Sequence, residues 1–366
     1  MANITFPLGG LARAADEPGI AARAGLAADD KAMLRAAADL TRDLNSPDPK
    51  IYWTDLIGSV VLGYLALGIA MFAPATWEIV VAGVVAVLAL YRAGSFIHEV
   101  THIKHSQLPG FRRAWNLLIG VPLLVPSFLY EGVHNMHHAK SRYGTVEDPE
   151  YLPLALMKPW TLPLFLVTAA LAPVALLIRF AVLAPLSLLS KRLRTVVVGR
   201  FSGLQINPYF RRKPPEGDLK RQWAWQEAAC SLWAIALIAL AASGTVPLQA
   251  VLVFLVVAAG VMFLNQVRTL VAHLWENEGE QMSVTAQYLD SVNVPPPATL
   301  PVLWAPVGLR YHALHHLLPG VPYHNLGEAH RRLTAALDPS SSFHATNHRA
   351  LLPLVGRLAA STLRRR

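Results

Sequence analysis

The sequence predicts an all-α integral membrane protein: four transmembrane helices in two hairpins, with a cytosolic helical cap. Three observations lead there. Of 366 residues, 54% are hydrophobic and 15% charged, against about a quarter charged in ordinary soluble domains. Long uncharged runs come in close pairs. Ten of the 14 histidines gather in short clusters after those runs, and none precedes His98.

The first hairpin pairs residues 56–73 (LIGSVVLGYLALGIAMFA) with residues 79–91 (IVVAGVVAVLALY), extendable past Arg92 to Ile97. About 20 apolar residues span a bilayer. The second pairs 227–243 with 247–264 across GTV. Neither connector holds a Lys or Arg, whereas residues 191–221 hold nine against two acids. Positive charge marks the cytoplasmic side, so both hairpins are expected to start and finish there. Residues 160–178 are apolar too. Pro163, Pro173, Pro185 and Arg179 predict a re-entrant or interfacial helix pair rather than a crossing. Residues 114–130, with Pro122 and Pro126, read the same way. The expected division is an N-terminal cytosolic segment (1–50), a membrane domain (51–335) and a basic cytosolic tail (336–366).

Composition excludes several classes. The first 50 residues do not read as a cleaved signal peptide. Cys230 is the sole cysteine, which excludes a disulfide framework, a Cys-based zinc site and a Cys-ligated Fe–S cluster. The net charge of +9 comes with no nucleic-acid-binding motif. It fits an anionic lipid face or an acidic protein partner. The Ala, Leu and Arg usage points to a bacterial inner membrane, with the histidines on its cytoplasmic side.

The histidine pattern carries the chemistry. His98-Glu99-Val100-Thr101-His102 is H-E-x-x-H, which on a helix is the zinc protease pattern. His134-Asn135-Met136-His137-His138 and His312-Ala313-Leu314-His315-His316 are both H-x-x-H-H. On a helix, positions i, i+3 and i+4 share one face, so each box aims its imidazoles at one point. His273 follows the last apolar run. His105, at i+7 from His98, is a further candidate. His324, His330, His344 and His348 are expected to be ordinary surface or core residues.

A catalytic zinc takes three protein ligands and a water, so nine histidines are too many for one. They suit two metals, and imidazole suits iron, copper, nickel and zinc. An intramembrane zinc protease leaves six histidines without a role, and the second hairpin supplies no Asp as a further ligand. A metal carrier would tolerate the clusters without needing them arranged for O2.

H-E-V-T-H, H-N-M-H-H and H-A-L-H-H, in this order and with hairpins before the first and before the third, resemble the membrane fatty acid desaturase and hydroxylase superfamily. The segment HHLLPGVPYHNLGEAHRRL (315–333) is similar to the stretch after that family's third box. The resemblance covers roughly residues 50 to 335. It implies two non-haem irons with O2 as co-substrate, held by His98, His102, His134, His137, His138, His273, His312, His315 and His316. It implies oxidation of a long-chain fatty acid or acyl chain, with desaturation expected first. Decarboxylation to a terminal alkene, hydroxylation and carotenoid ketolation are alternatives on the same scaffold. The chain departs from the acyl-CoA branch, where an Asn stands four residues before the lone His; Thr269 stands here. Asn265 and Asn277 lie a turn to either side. Glu99, Asp148, Glu150 and Asn265 are the candidates to support the metal ligands. With no cytochrome b5-like His-Pro-Gly-Gly, electrons are expected from a separate donor, a ferredoxin or similar acidic redox protein. Arg112, Arg113, Arg268 and Arg310 are the candidates to anchor a substrate carboxylate.

Overall fold

The computed structural model describes residues 28–364, so much of the segment expected at 1–50 lies outside the described residues. Helix α1 (Lys31–Leu40) starts where the Asp30 carboxylate accepts the Met33 N–H at 3.0 Å. Helix α2 (Pro49–Phe72) has Asp48 as its cap and Pro at its first turn, where no N–H is needed. Helix α3 (Thr76–His102) completes the first hairpin. At 24 residues, α2 is roughly 36 Å long, enough for a hydrocarbon core of about 30 Å. The short helix α4 (Thr161–Ala170) and then the longer α5 (Ala172–Leu189) follow. The second hairpin is α6 (Gly217–Ala242) and α7 (Leu248–Leu270). The cap adds α8 (Val284–Asp290), α9 (Leu326–Ala336) and α10 (Leu351–Arg364). Among the described residues there is no β-strand, only isolated bridges such as His273 with Ser291.

Close packing sets the spacing of the bundle. A Cβ at Gly63 in α2 would lie 2.7 Å from Leu90 Cδ2 in α3, and one at Gly260 in α7 would lie 2.8 Å from Val87 Cγ2. Small residues let helices approach where lipid offers no hydrophobic driving force between them. The outward faces carry Leu62, Leu65, Ile69, Val80, Val84, Leu232, Ile235, Leu252 and Val256, all exposed. Such a surface suits hydrocarbon and not water. The two hairpin turns meet at one end, where the Gln249 side chain donates to the Ala73 carbonyl at 3.0 Å. The histidines lie at the other end.

Among the described residues five helices, not four, are long and apolar enough to cross a membrane; the fifth is α5. The prolines were expected to break this stretch. Instead Pro173 and Pro185 each sit in the first turn of a helical piece, and a π-turn over Arg179–Leu183 joins the pieces. Arg179 is buried and donates to Glu227 at 2.6 Å and to the Ser202 hydroxyl at 2.9 Å. Its charge is met inside the protein, so it does not oppose burial of the segment. Residues 114–130 form no long helix, as expected, but a chain of short turns packed inside.

The packed unit also extends beyond the expected 51–335. Met33 and Ala37 of α1 pack with Leu314, Ala329 and Leu333. Phe343 joins the same core, and Leu354 and Leu358 of α10 are buried. The tail expected at 336–366 is therefore docked structure through most of its described length, held by an apolar stripe that a charge count overlooks.

Candidate metal centre

Each histidine cluster is placed by the end of a helix. His98 and His102 occupy the last two turns of α3. His134 and His137 lie on a short helix, His134–His137, after Gly132, whose φ of +77° turns the chain. That conformation is open to glycine and strained for most residues. Helix α7 stops at Leu270, and His273 follows in an extended segment bridged to Ser291. The third box forms the short helix His312–Leu317, reached through Gly308 at φ +71°. There a Cβ would lie 3.0 Å from Tyr323 Cα.

The nine box and lone histidines converge as two groups: His98, His102, His134, His138 and His315, then His137, His273, His312 and His316. Within each group the ligand nitrogens all lie within 4.8 Å of one another. Pairs of Nε2 atoms face each other at 3.0 Å (His134 with His138, and His273 with His312), 3.1 Å (His102 with His315) and 3.2 Å (His312 with His316). Two ligands at about 2.1 Å from one ion, at right angles, stand about 3 Å apart. Both ring nitrogens of His98 are buried without a hydrogen-bond partner, as is His315 Nδ1. A buried imidazole with nothing to bind is costly, and a shared ion removes that cost. The residues fit two ions.

The outer nitrogens are held differently from one histidine to the next. His137 Nδ1 meets Asp148 at 2.9 Å, and Asp148 also accepts the Gly144 and Glu150 N–H groups, both at 2.8 Å. His134 Nδ1 lies 3.1 Å from Glu150 and 2.8 Å from the Tyr130 hydroxyl. These two carboxylates stand where a ligating imidazole is oriented by its far nitrogen. Glu99 does not: its Oε1 is 3.6 Å from His98 Nδ1, and its other oxygen accepts from the Tyr52 hydroxyl and the Tyr323 N–H. Asn265 is exposed on α7; the helix ends at Leu270, so the periodicity that aligned Asn265 with His273 does not reach the histidine. Asn277 is turned away, donating to Gly144 and Glu280 carbonyls. His105 is exposed and bonded to Arg112 outside both groups. Its i+7 relation to His98 is void because α3 ends at His102 and Ile103 is extended. His324, His330, His344 and His348 also lie outside both groups.

Two supports, Tyr143 and Asp290, and one further contact, from Arg268, were not foreseen. The Tyr143 hydroxyl donates to Asp290 at 2.8 Å and stands 2.8 Å from His273 Nδ1. Asp290 itself is 3.9 Å from that nitrogen, so it acts through the tyrosine. Arg268 Nη2 lies 2.9 Å from His312 Nδ1. Burial pushes the Glu150 carboxyl up to about 8 and that of Asp290 up to about 7. Burial, then the neighbouring imidazoles, hold His134, His138, His315 and His316 well below the ordinary histidine range. This favours the neutral form, which lone-pair donors to a metal need.

The fold and the site together define a helical membrane protein with a buried two-part histidine cage able to hold metal. Residues 75–347 match the family model described as fatty acid desaturase. The chain is 48% identical over 331 residues to a ceramide hydroxylase of Caulobacter vibrioides (strain NA1000 / CB15N), covering 90% of this chain and 94% of that one. This chain belongs to the fatty acid desaturase family, in the membrane desaturase and hydroxylase superfamily. Family and relative together make it an oxidoreductase acting on lipid, which leaves no place for the protease reading of His98, Glu99 and His102.

Proposed function

We propose that this protein is a di-iron hydroxylase that inserts one atom of O2 into a C–H bond of ceramide or a closely related long-chain acyl lipid. The observation that carries the reading is the 48% identity to a ceramide hydroxylase across nearly the whole of both chains. The nine converging histidines supply the matching chemistry. Desaturation, the outcome the boxes first suggest, has no support of its own beyond the family's description.

The two histidine groups would hold one iron each, and the irons when bound supply the activation of O2 that an aliphatic C–H bond requires. The chain's own residues do the rest. Asp148, Glu150 and the Tyr143–Asp290 pair fix the imidazoles before metal or lipid arrives, so no reorganisation is needed at the moment of reaction. Burial of the cage excludes water from it. The reaction balances as lipid C–H, O2, two electrons and two protons giving lipid C–OH and water. The electrons come from a separate redox protein. On this reading the protein sits in a bacterial inner membrane with the cage on the cytoplasmic side, where such a donor is found.

The test is product analysis. Purified iron-replete protein, a chemical or protein reductant and isotopically labelled O2 are supplied with ceramide and, separately, free palmitate. The expected ceramide product is one labelled oxygen atom heavier, with two irons per chain. A product two hydrogens lighter would replace hydroxylation by desaturation. One zinc per chain with no O2 uptake would end the oxidase reading.

A further inference from the structure

Arg268 stands in the last turn of α7 and is 8% exposed. A guanidinium carries five N–H donors and keeps its charge in any protein setting. Among the described residues its one hydrogen-bond partner is His312 Nδ1 at 2.9 Å, and no carboxylate lies at ion-pair distance. The other buried arginines of the bundle differ. Arg179 has Glu227, and Arg212 donates to the Phe128, Ser202 and Glu131 carbonyls. Glu150, the carboxyl that feels the Arg268 charge, is already engaged by His134. A buried cation left unpaired is costly, more so beside a cage that collects metal cations. Support of His312 does not explain it, because an imidazole whose far nitrogen donates would be served by a carboxylate or carbonyl.

We infer that Arg268 is a substrate-binding residue whose guanidinium takes an acceptor oxygen at the polar end of the lipid acyl chain. The inference rests on the hydroxylase reading for its substrate class. That oxygen belongs either to the amide or hydroxyl of a ceramide or to the carboxylate of a free acid. Either way it is held within roughly 6 Å of His312, given ordinary hydrogen-bond lengths. The carbon presented to the cage then lies close to the lipid's polar end, not in mid-chain.

The test is lipid binding in the absence of O2, which needs no turnover. Radiolabelled ceramide and palmitate are titrated against iron-replete wild type, Arg268→Gln and Arg268→Lys, with iron measured in each. The expected result is at least tenfold weaker binding of one or both lipids to Arg268→Gln with two irons retained. Loss confined to ceramide assigns the oxygen to the amide or hydroxyl. Loss confined to palmitate, rescued in Arg268→Lys, assigns it to the carboxylate. Unchanged binding of both lipids, or wild type that binds neither, overturns the inference. Iron loss from both variants also overturns it and makes Arg268 a positioning residue for His312. Wild type that binds lipid but never oxidises it overturns the hydroxylase reading and leaves this one standing.

Discussion

Single residues decide how well the cage is preformed. Asp148 is fully buried, and its carboxylate ties together His137 and the backbone of the loop that follows. Replacing it by Asn keeps the shape and removes the negative charge that orients the imidazole. Asp148→Asn is expected to lower iron retention and turnover by about 10- to 100-fold, the usual effect of losing such a partner. Unchanged iron content and turnover would remove Asp148 from the role. Asp148 and Glu150 were legible in the sequence because they stand within sixteen residues of the histidines they hold. Tyr143 was not, because 130 positions separate it from His273. Asp290 and the contact of Arg268 with His312 were hidden for the same reason: partners that meet only in space leave no spacing to read.

At the scale of elements, the cap is held down by its edges. Helix α1 lies on α9 beside the third histidine box, and its packing is reinforced at the surface by Arg332. That guanidinium donates to Asp43 at 2.7 Å, to Glu328 at 2.8 Å and to the Leu40 carbonyl at 3.0 Å. Hydrogen bonds from Arg331 and Arg332 lower the Glu328 carboxyl to about 2, and Arg332 lowers Asp43 as well. A carboxyl depressed in the folded state adds stability that is full above its unfolded value and fades as pH falls through its folded one. The Arg332–Asp43 contact should therefore hold at neutral pH and weaken as pH falls below the ordinary Asp value of 3.8. Amide hydrogen exchange of residues 31–44 reads this directly. Protection is expected to drop over that acid window, and Arg332→Ala should produce the same drop at neutral pH. Equal protection in wild type and Arg332→Ala would mean that Met33 and Ala37 alone hold α1. Sequence periodicity predicted the long hairpins well. It treated residues 336–366 as tail because the stripe that docks α10 is only a few residues wide.

Over the whole molecule, charge is sorted by depth. Of the nine basic residues between 191 and 221, Arg212 is buried among carbonyls and Arg194 pairs with Glu227 at 2.7 Å. Lys191, Arg192, Arg200, Arg211, Lys213, Lys220 and Arg221 are exposed. This face suits the acidic electron donor of the proposal, since clustered charge of one sign speeds encounter with the other. Turnover with a reduced ferredoxin is expected to fall about tenfold between low salt and half-molar salt, where charges are screened beyond a few ångströms. Turnover indifferent to salt would assign the face to anionic lipid instead.

By itself the sequence determined the class of protein, the two long hairpins and the nine histidines, because hydropathy and the helical repeat are local properties. The tertiary structure decided how those histidines divide into five and four, which carboxylates and tyrosines hold them, and that α5 joins the long apolar helices. Each of these depends on which helix ends meet and on whether a buried charge such as Arg179 or Arg268 finds a partner. A partner is a matter of distance in space, and the order of residues along the chain does not contain it.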